Sequence, residues 1–494
     1  MYTVPHFIQG KQVTSKGKTL DIFNPALGKK AGEVLVADKT IVDQAVQAAK
    51  AAFPAWSATS ALKRSRFLFN LRSLLEEHIA ELAELITKEH GKTLTDARGS
   101  VQRGIDVVEF ACGIMSHLQG RYAENISTDV DSYSLRQPLG VCAGITPFNF
   151  PAMIALWMFP IAIACGNTFV IKPSEKDPSC SLRIAELCIE AGIPAGVVNV
   201  VQGDKEAVDA ILHHPDIQAV SFVGSTPVAE YVYRTATSQF KRVQAFGGAK
   251  NHCVVMPDAD IDQAADAIVS AAYGSAGERC MAISVVVAVG DAIADALITR
   301  MQPKIKALKI GSGIRAEVEM GPLVTQAHLE KVKSYIDLGV REGAELVIDG
   351  REHQAKEGFY LGGCLFDKVT PNMKIYHDEI FGPVLSIVRV KTLAEAIQLA
   401  SEHEFGNGTA IFTRDGEAAH TFASQVQVGM VGINIPIPVP MAYYSFGGWK
   451  RSNFADIHLH GPEGVQFYTK LKTVTQRWPR SKTSAGFSIP TTRE

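Results

Sequence analysis

The sequence predicts an α/β fold built on parallel sheets, and three observations carry that expectation. From residue 140 onward, short β-branched runs (GVCAGIT, NTFVI, VVNVV, QAVSFV, RVQAF) alternate with helical stretches such as 181–191 and 204–212. Such alternation calls for right-handed crossovers between parallel strands. A second round begins near 251, with HCVVM, a helix from Asp260, SVVVAV, and later strands near 385 and 410. The first third reads as helical.

Taken in order, Thr40 caps a first helix that ends before Pro54. Ser60 opens a longer one, with Leu71, Leu75, Ile79, Leu82 and Leu85 at steps of three and four, stopped by Gly91. A third spans about 95–118, with Val101, Ile105, Val108, Cys112 and Met115 on one stripe and Arg103 at its edge. Residues 132–140, SYSLRQPLG, read as a strand able to pair with another subunit. Residues 152–171 are nearly all apolar, but Pro160, Gly166 and Asn167 interrupt them and Lys172 follows. They read as a buried helix running into a buried strand, not as a membrane span. Prolines 436, 438 and 440 forbid a helix over 433–448 and suit an extended loop lining a substrate channel. PDADID (257–262) reads as an acidic helix start, since it lacks the Gly and terminal Glu of a calcium loop. The tail after Trp478 reads as flexible.

Composition bounds the function. The 494 residues allow two to four domains at roughly 100–200 residues each. Hydrophobic residues at 46% and charged residues at 20% mark a globular chain. Lys+Arg at 49 nearly balance Asp+Glu at 51, so no nucleic-acid footprint is expected. The eight cysteines form no CxxC pair, which removes the spacing of zinc ribbons and thioredoxin-like sites. Scattered cysteines in a long chain indicate a reduced, cytoplasmic setting. The opening MYTVPHFIQGKQV carries no secretory pattern. His213–His214 and the His458/His460 pair read as surface histidines and no metal is expected, because no acid or cysteine stands at ligand spacing.

Several short stretches carry chemistry. Cys280 lies in GSAGERCMAIS, after a Gly-bearing turn and beside Arg279, as a nucleophilic thiolate requires. In TPFNFP (146–151) two prolines fix the backbone around Asn149, whose amide suits a developing oxyanion. VIKPSEKD places Lys172 and Glu175 at a strand end, where they suit ribose hydroxyls or an adenosine phosphate. FVGST sets Ser225 before a helix, whose free N–H groups suit a pyrophosphate, although GxGxxG is absent. EIFGPVL offers Glu379, and FGGWKRS (446–452) a Gly turn with an aromatic.

Together and in this order, TPFNFP, the Lys of IKPSE, FVGST, the GG pair at 247–248, Cys280 and EIFGP resemble the aldehyde dehydrogenase superfamily over essentially the full chain. The resemblance implies a Rossmann-type cofactor domain (1–119 and 140–248), an α/β catalytic domain (249–457) and a small β oligomerisation extension (120–139 and 458–494). It implies Cys280 as nucleophile, and Asn149 with the Cys280 backbone N–H as oxyanion donors. Thr146, Phe148, Lys172, Glu175, Lys176, Ser225, Gly247 and Glu379 are implied as the cofactor site. Glu175 at ribose distance favours NAD over NADP.

Hydrolytic members of the superfamily use a Glu two residues before the GG pair as base; here that residue is Ala245. A positioned base is worth roughly 10² to 10⁴-fold, so attack by water is expected to be slow and a thiol such as coenzyme A to finish the turnover. GGAKNHCVVMPDADID, GERCMA and FYTKLKTVTQRW resemble the methylmalonate-semialdehyde dehydrogenase family, which is CoA-acylating. That resemblance implies a carboxylate-bearing semialdehyde substrate held by Arg103 and Arg279, and a homodimer or homotetramer. Glu278 stands where this family usually has Gln; it is a candidate to pair with Arg279 or to substitute for the missing base. Lys176 stands where the family often has Arg.

Overall fold

Two seven-stranded sheets organise the chain. The computed structural model describes residues 1–478 other than 16 and 354; the tail expected to be flexible lies outside the described residues. The first sheet runs Arg242–Phe246, Ile217–Val223, Val141–Ile145, Thr168–Lys172 and Val198–Val200, all parallel. A hairpin, His6–Ile8 with Lys11–Val13, closes its far edge antiparallel. Chain order reverses between Val141–Ile145 and Ile217–Val223. The connections leaving the carboxyl ends of those two neighbours turn to opposite faces and open a crevice between them.

The second sheet runs Glu345–Ile348, Cys364–Asp367, Val384–Val390, Ile283–Val289, Asn251–Val255, Gly408–Phe412 and Met430–Ile433, parallel except at its first strand. Its three central strands are almost wholly buried, as their unbroken Val and Ile runs require with helices on both faces. Every β-branched run named above is a strand. Glu345–Ile348, Cys364–Asp367 and Met430–Ile433 were not anticipated: each is four residues long, too short for periodicity to register.

The helices depart from expectation in instructive ways. The first is Lys39–Ala58, capped by Asp38 rather than Thr40, and it contains Pro54. The lost backbone bond is offset by Trp56, buried in the last turn with its indole N–H on the Ile163 carbonyl at 3.0 Å. The long second helix is two, Ala61–Glu77 and Ile79–His90, divided at His78. The break rotates the apolar face, so Ile86 is buried and Leu85 only half-buried. The third ends at Cys112, and Met115 lies exposed beyond it. Met153–Ala164 is buried along its whole length, and among the described residues no helix is long and apolar enough to cross a membrane.

A three-stranded antiparallel sheet, Thr469–Arg477, Val130–Pro138 and Tyr122–Ser127, stands apart. Its central strand is the one read as able to pair with another subunit, in an extension shared with the C-terminal segment. One edge is hydrogen-bonded to Thr469–Arg477 along its whole length, and the other to Tyr122–Ser127 over its first half. His460 is buried rather than on the surface, and His214 is nearly so, held by Asp43 at 3.0 Å.

Candidate functional site

Cys280 follows an unusual turn. Ser275 and Ala276 have φ of 51° and 52°, and Gly277 follows at 74°. Non-glycine residues in this region are strained and persist only where their surroundings hold them. Asp96, in the first turn of Leu94–Cys112, does that: it accepts from the Ser275 N–H at 3.1 Å and hydroxyl at 2.9 Å. On the far side, the Cys280 carbonyl accepts from the Asn251 amide at 2.9 Å and the Asn407 amide at 3.1 Å. The Cys280 segment is therefore pinned at both ends. All eight cysteines lie among the described residues, and Cys280 alone is not fully buried.

Two cavities meet at Cys280. The larger, about 700 Å³, occupies the crevice at the carboxyl ends of the first sheet. It is lined by Thr146, Phe148, Asn149, Lys172, Glu175, Lys176, Ser225, Gly247 and Glu379, so every residue expected to hold the cofactor faces it. Lys172 is buried and lies 3.4 Å from the Glu175 carboxylate. Burial lowers its ammonium pKa, and Glu175 partly restores it. Ser225 precedes Thr226–Ser238 without a side-chain cap, so the helix presents N–H groups to the cleft. Glu379 is held by the Ala249 N–H at 2.9 Å, and burial raises its pKa. Lys176 Nζ sits 4.5 Å from the centre of the Phe148 ring.

The smaller cavity, about 250 Å³, is lined by Arg103, Arg279 and Asp96 among apolar walls that include Trp157, Ile437 and Phe446. The proline loop expected to border a channel does border this cavity, through Ile437 and Val439. Arg279 is pinned. Its guanidinium meets Asp96 Oδ1 at 2.5 Å and lies so close to Gly274 that a Cβ there would overlap it. Arg103 makes one long contact, 3.5 Å, to the Pro440 carbonyl. The residue lines the cavity but is exposed, so its charge also faces solvent.

Glu278 does not pair with Arg279. Its side chain lines neither cavity and is fully buried, with Oε1 accepting from the Val324 N–H at 3.2 Å. His90 and His328 lie 3.8 and 3.6 Å from its oxygens. Burial pushes its carboxyl up to about 8, which favours the neutral acid at neutral pH. Arg279 instead belongs to Asp96, which stands on the neighbouring helix.

Burial pushes the Cys280 thiol up to about 12, and the nearby Glu379 carboxylate adds to the rise. Without a compensating positive charge the group rests as a thiol. Three residues were missed in the sequence: Asp96, His328, whose Nε2 donates to the Phe381 carbonyl at 2.7 Å, and Lys92, buried beneath Asn149. Asp96 and Lys92 flank the Thr93 cap, a signal for a helix start but not for a site.

Residues 12–474 match the aldehyde dehydrogenase family. A malonate-semialdehyde dehydrogenase of Pseudomonas aeruginosa is 58% identical, over 99% of this chain and 100% of its own. Another, of Halalkalibacterium halodurans, is 50% identical over 96% and 98%. Among solved structures, a candidate methylmalonate-semialdehyde dehydrogenase from Sinorhizobium meliloti, in complex with NAD, superposes with a TM-score of 0.97 at 54% identity, covering 98% of this chain and 99% of that one. A methylmalonate-semialdehyde dehydrogenase from Oceanimonas doudoroffii gives 0.96 at 55%, covering 97% and 99%.

Proposed function

Because the chain belongs to the aldehyde dehydrogenase family, we propose that it oxidises malonate or methylmalonate semialdehyde with NAD and transfers the acyl group to coenzyme A, yielding acetyl-CoA or propionyl-CoA with loss of the carboxylate carbon. One observation carries this reading: both arginines share a small apolar cavity with Cys280, and the cofactor residues share a larger one that opens on the same sulfur.

The larger cleft fits a dinucleotide. It offers a lysine and a carboxylate for the adenosine ribose, a helix N-terminus for the pyrophosphate and a second carboxylate, Glu379, near Cys280. When bound, NAD supplies the hydride acceptor. The residues of the chain do the rest. Arg103 and the remaining edge of Arg279 hold the substrate carboxylate, which turns the aldehyde carbon toward Cys280. The Cys280 thiolate adds to that carbon. The oxyanion of the thiohemiacetal is received by the Asn149 amide and the Cys280 N–H. Oxidation leaves a thioester on Cys280, whose acyl group passes to the coenzyme A thiol. A carboxylate β to the thioester carbonyl leaves as carbon dioxide through an enolate, which needs no further cofactor.

Ala245 is the penultimate residue of Arg242–Phe246 and is fully buried in the core. It has no group to accept a proton. Glu278 lines neither cavity, which speaks against it as a substitute base. We also assign a cofactor domain to 1–119 with 140–248, a catalytic domain to 249–457, and an oligomerisation extension to 120–139 with the described part of 458–494. The pairing of Val130–Pro138 with Thr469–Arg477 supports that grouping. A homodimer or homotetramer in a reducing cytoplasm completes the reading; the eight free cysteines support the reducing setting.

The test is steady-state formation of reduced NAD from malonate semialdehyde, with and without coenzyme A. Turnover that depends on coenzyme A and yields acetyl-CoA is expected. Equal rates without it, with free acid as product, would overturn the acylating assignment.

A further inference from the structure

Lys92 stands between Gly91, the left-handed residue that ends Ile79–His90, and Thr93, the cap of Leu94–Cys112. Its side chain is fully buried. The ammonium donates to the Asn149 carbonyl at 2.5 Å and lies 4.1 Å from the centre of the Phe150 ring. Asn149 lines the cofactor cleft and Phe150 the substrate cavity, so Lys92 sits behind the partition between them. Among the described residues it makes no ion pair. Asp96, Asp177 and Glu278 act on it from farther off, and Arg279 opposes them. It in turn disfavours the charged form of the neighbouring His90.

A buried ammonium whose contacts are a carbonyl and a ring, with no carboxylate paired to it among the described residues, is costly, and an apolar side chain of equal length would fill the space more cheaply. Its position gives the reason for it. We propose that Lys92 is a positioning residue for the reaction: it fixes the Asn149 turn from behind, and its charge favours the Cys280 thiolate and the oxyanion that forms beside Asn149. The thiol proton leaves to solvent and Lys92 keeps its own. The electrostatics agree. Lys92 is the cation that pulls the Cys280 thiol down against burial and Glu379. Burial brings Lys92 itself to about 8, so it remains largely protonated at neutral pH, and a thiolate nearby would hold its proton more firmly. This inference rests on the reading of Cys280 as nucleophile.

Lys92→Gln keeps a donor toward the Asn149 carbonyl and removes the charge; Lys92→Arg keeps the charge. The measurement is the rate of Cys280 alkylation by iodoacetamide across pH, with and without NAD, alongside thermal melting. An opposite charge at close range is worth about one pKa unit or more. Lys92→Gln should therefore alkylate about tenfold more slowly at pH 8, while melting at or above the wild-type temperature. Lys92→Arg should stay within about threefold of wild type. Wild-type alkylation in Lys92→Gln overturns the proposal. So does an equal loss in both variants accompanied by a lower melting temperature, which would assign Lys92 to the fold alone. Should Lys92→Gln not fold, Lys92→Met reads the same charge effect. Cys280→Ser separates the two layers of argument. If it retains turnover, the nucleophile assignment fails. If it is inactive while Lys92→Gln alkylates normally, only the role of Lys92 fails.

Discussion

The two cavities that meet at Cys280 are built differently. The cleft of about 700 Å³ draws most of its polar groups from turns within a few residues of strand ends in a single sheet, with Glu379 and His328 added from across the crevice: Thr146 to Asn149 after Val141–Ile145, Glu175 and Lys176 after Thr168–Lys172, Ser225 after Ile217–Val223. The cavity of about 250 Å³ draws on the helix Leu94–Cys112, the helix Met153–Ala164, the nucleophile turn and the proline loop. One is fixed by backbone that the sheet already orders. The other is a meeting of side chains from distant segments. Such a design lets the cofactor site stay rigid while the substrate site varies, because substitutions on Leu94–Cys112 or in the loop need not disturb the strand ends.

If the cavities are separable, the sharpest break should come where their walls touch. Cys280 is that place, and Gly277, three residues before it, sets its turn: its φ is 74°, and a Cβ there would overlap the Gly382 carbonyl, three residues beyond Glu379. Gly277→Ala must shift the nucleophile turn, the segment carrying Glu379, or both. A displacement of about 1 Å at a reacting group can cost 10²-fold, so kcat should fall about a hundredfold or more with any aldehyde. Steady-state kinetics on malonate semialdehyde and propanal would check this; normal kcat with either would show that the turn tolerates the side chain. Next in size, Arg279→Leu and Arg103→Leu should each raise KM for malonate semialdehyde by about tenfold to a hundredfold, the worth of one charged hydrogen bond. Arg279→Leu should be the larger, since it also leaves Asp96 without its cation. Propanal carries no carboxylate, so its KM should hold in Arg103→Leu. Fluorescence titration should find NAD affinity unchanged in both variants. Weakened NAD binding would show the cavities to be coupled.

The same contrast explains what could be read from the sequence. The turns that line the larger cavity were legible because each is a contiguous motif with its strand beside it, and TPFNFP, IKPSE and FVGST are all strand ends. Arg279 was legible through its adjacency to Cys280. Arg103 was assigned only through resemblance, because nothing local distinguishes a helix arginine that faces a cavity from one that faces water. Asp96 and Lys92 were missed for the same reason, being visible only once Leu94–Cys112 is packed against the nucleophile turn and the Asn149 turn. The expected pairing of Glu278 with Arg279 failed because neighbours along an irregular turn need not point the same way. After three left-handed residues Glu278 turns inward toward His90 and His328, and Arg279 toward Asp96. The helix errors at Pro54 and His78 were likewise tertiary: a buried Trp56 sustains one helix past a proline, and packing divides another that periodicity joins.

The smallest expected effect tests the cofactor cleft from its adenosine end. Glu175 is half-buried beside Lys172, so its carboxylate is well placed to accept from a ribose hydroxyl and to repel a phosphate at the same position. Repulsion between two such charges at the edge of a wet cleft is worth about 1.4 kcal/mol, or roughly tenfold. Glu175→Gln retains the accepting oxygen and removes the charge. The ratio of kcat/KM with NADP to that with NAD should rise about tenfold, most of it through KM for NADP. The KM for malonate semialdehyde should not move, because Glu175 lines only the larger cavity. An unchanged ratio would place cofactor discrimination elsewhere in the cleft. A changed semialdehyde KM would mean that the two halves of the site communicate through Cys280 more strongly than their separate construction implies.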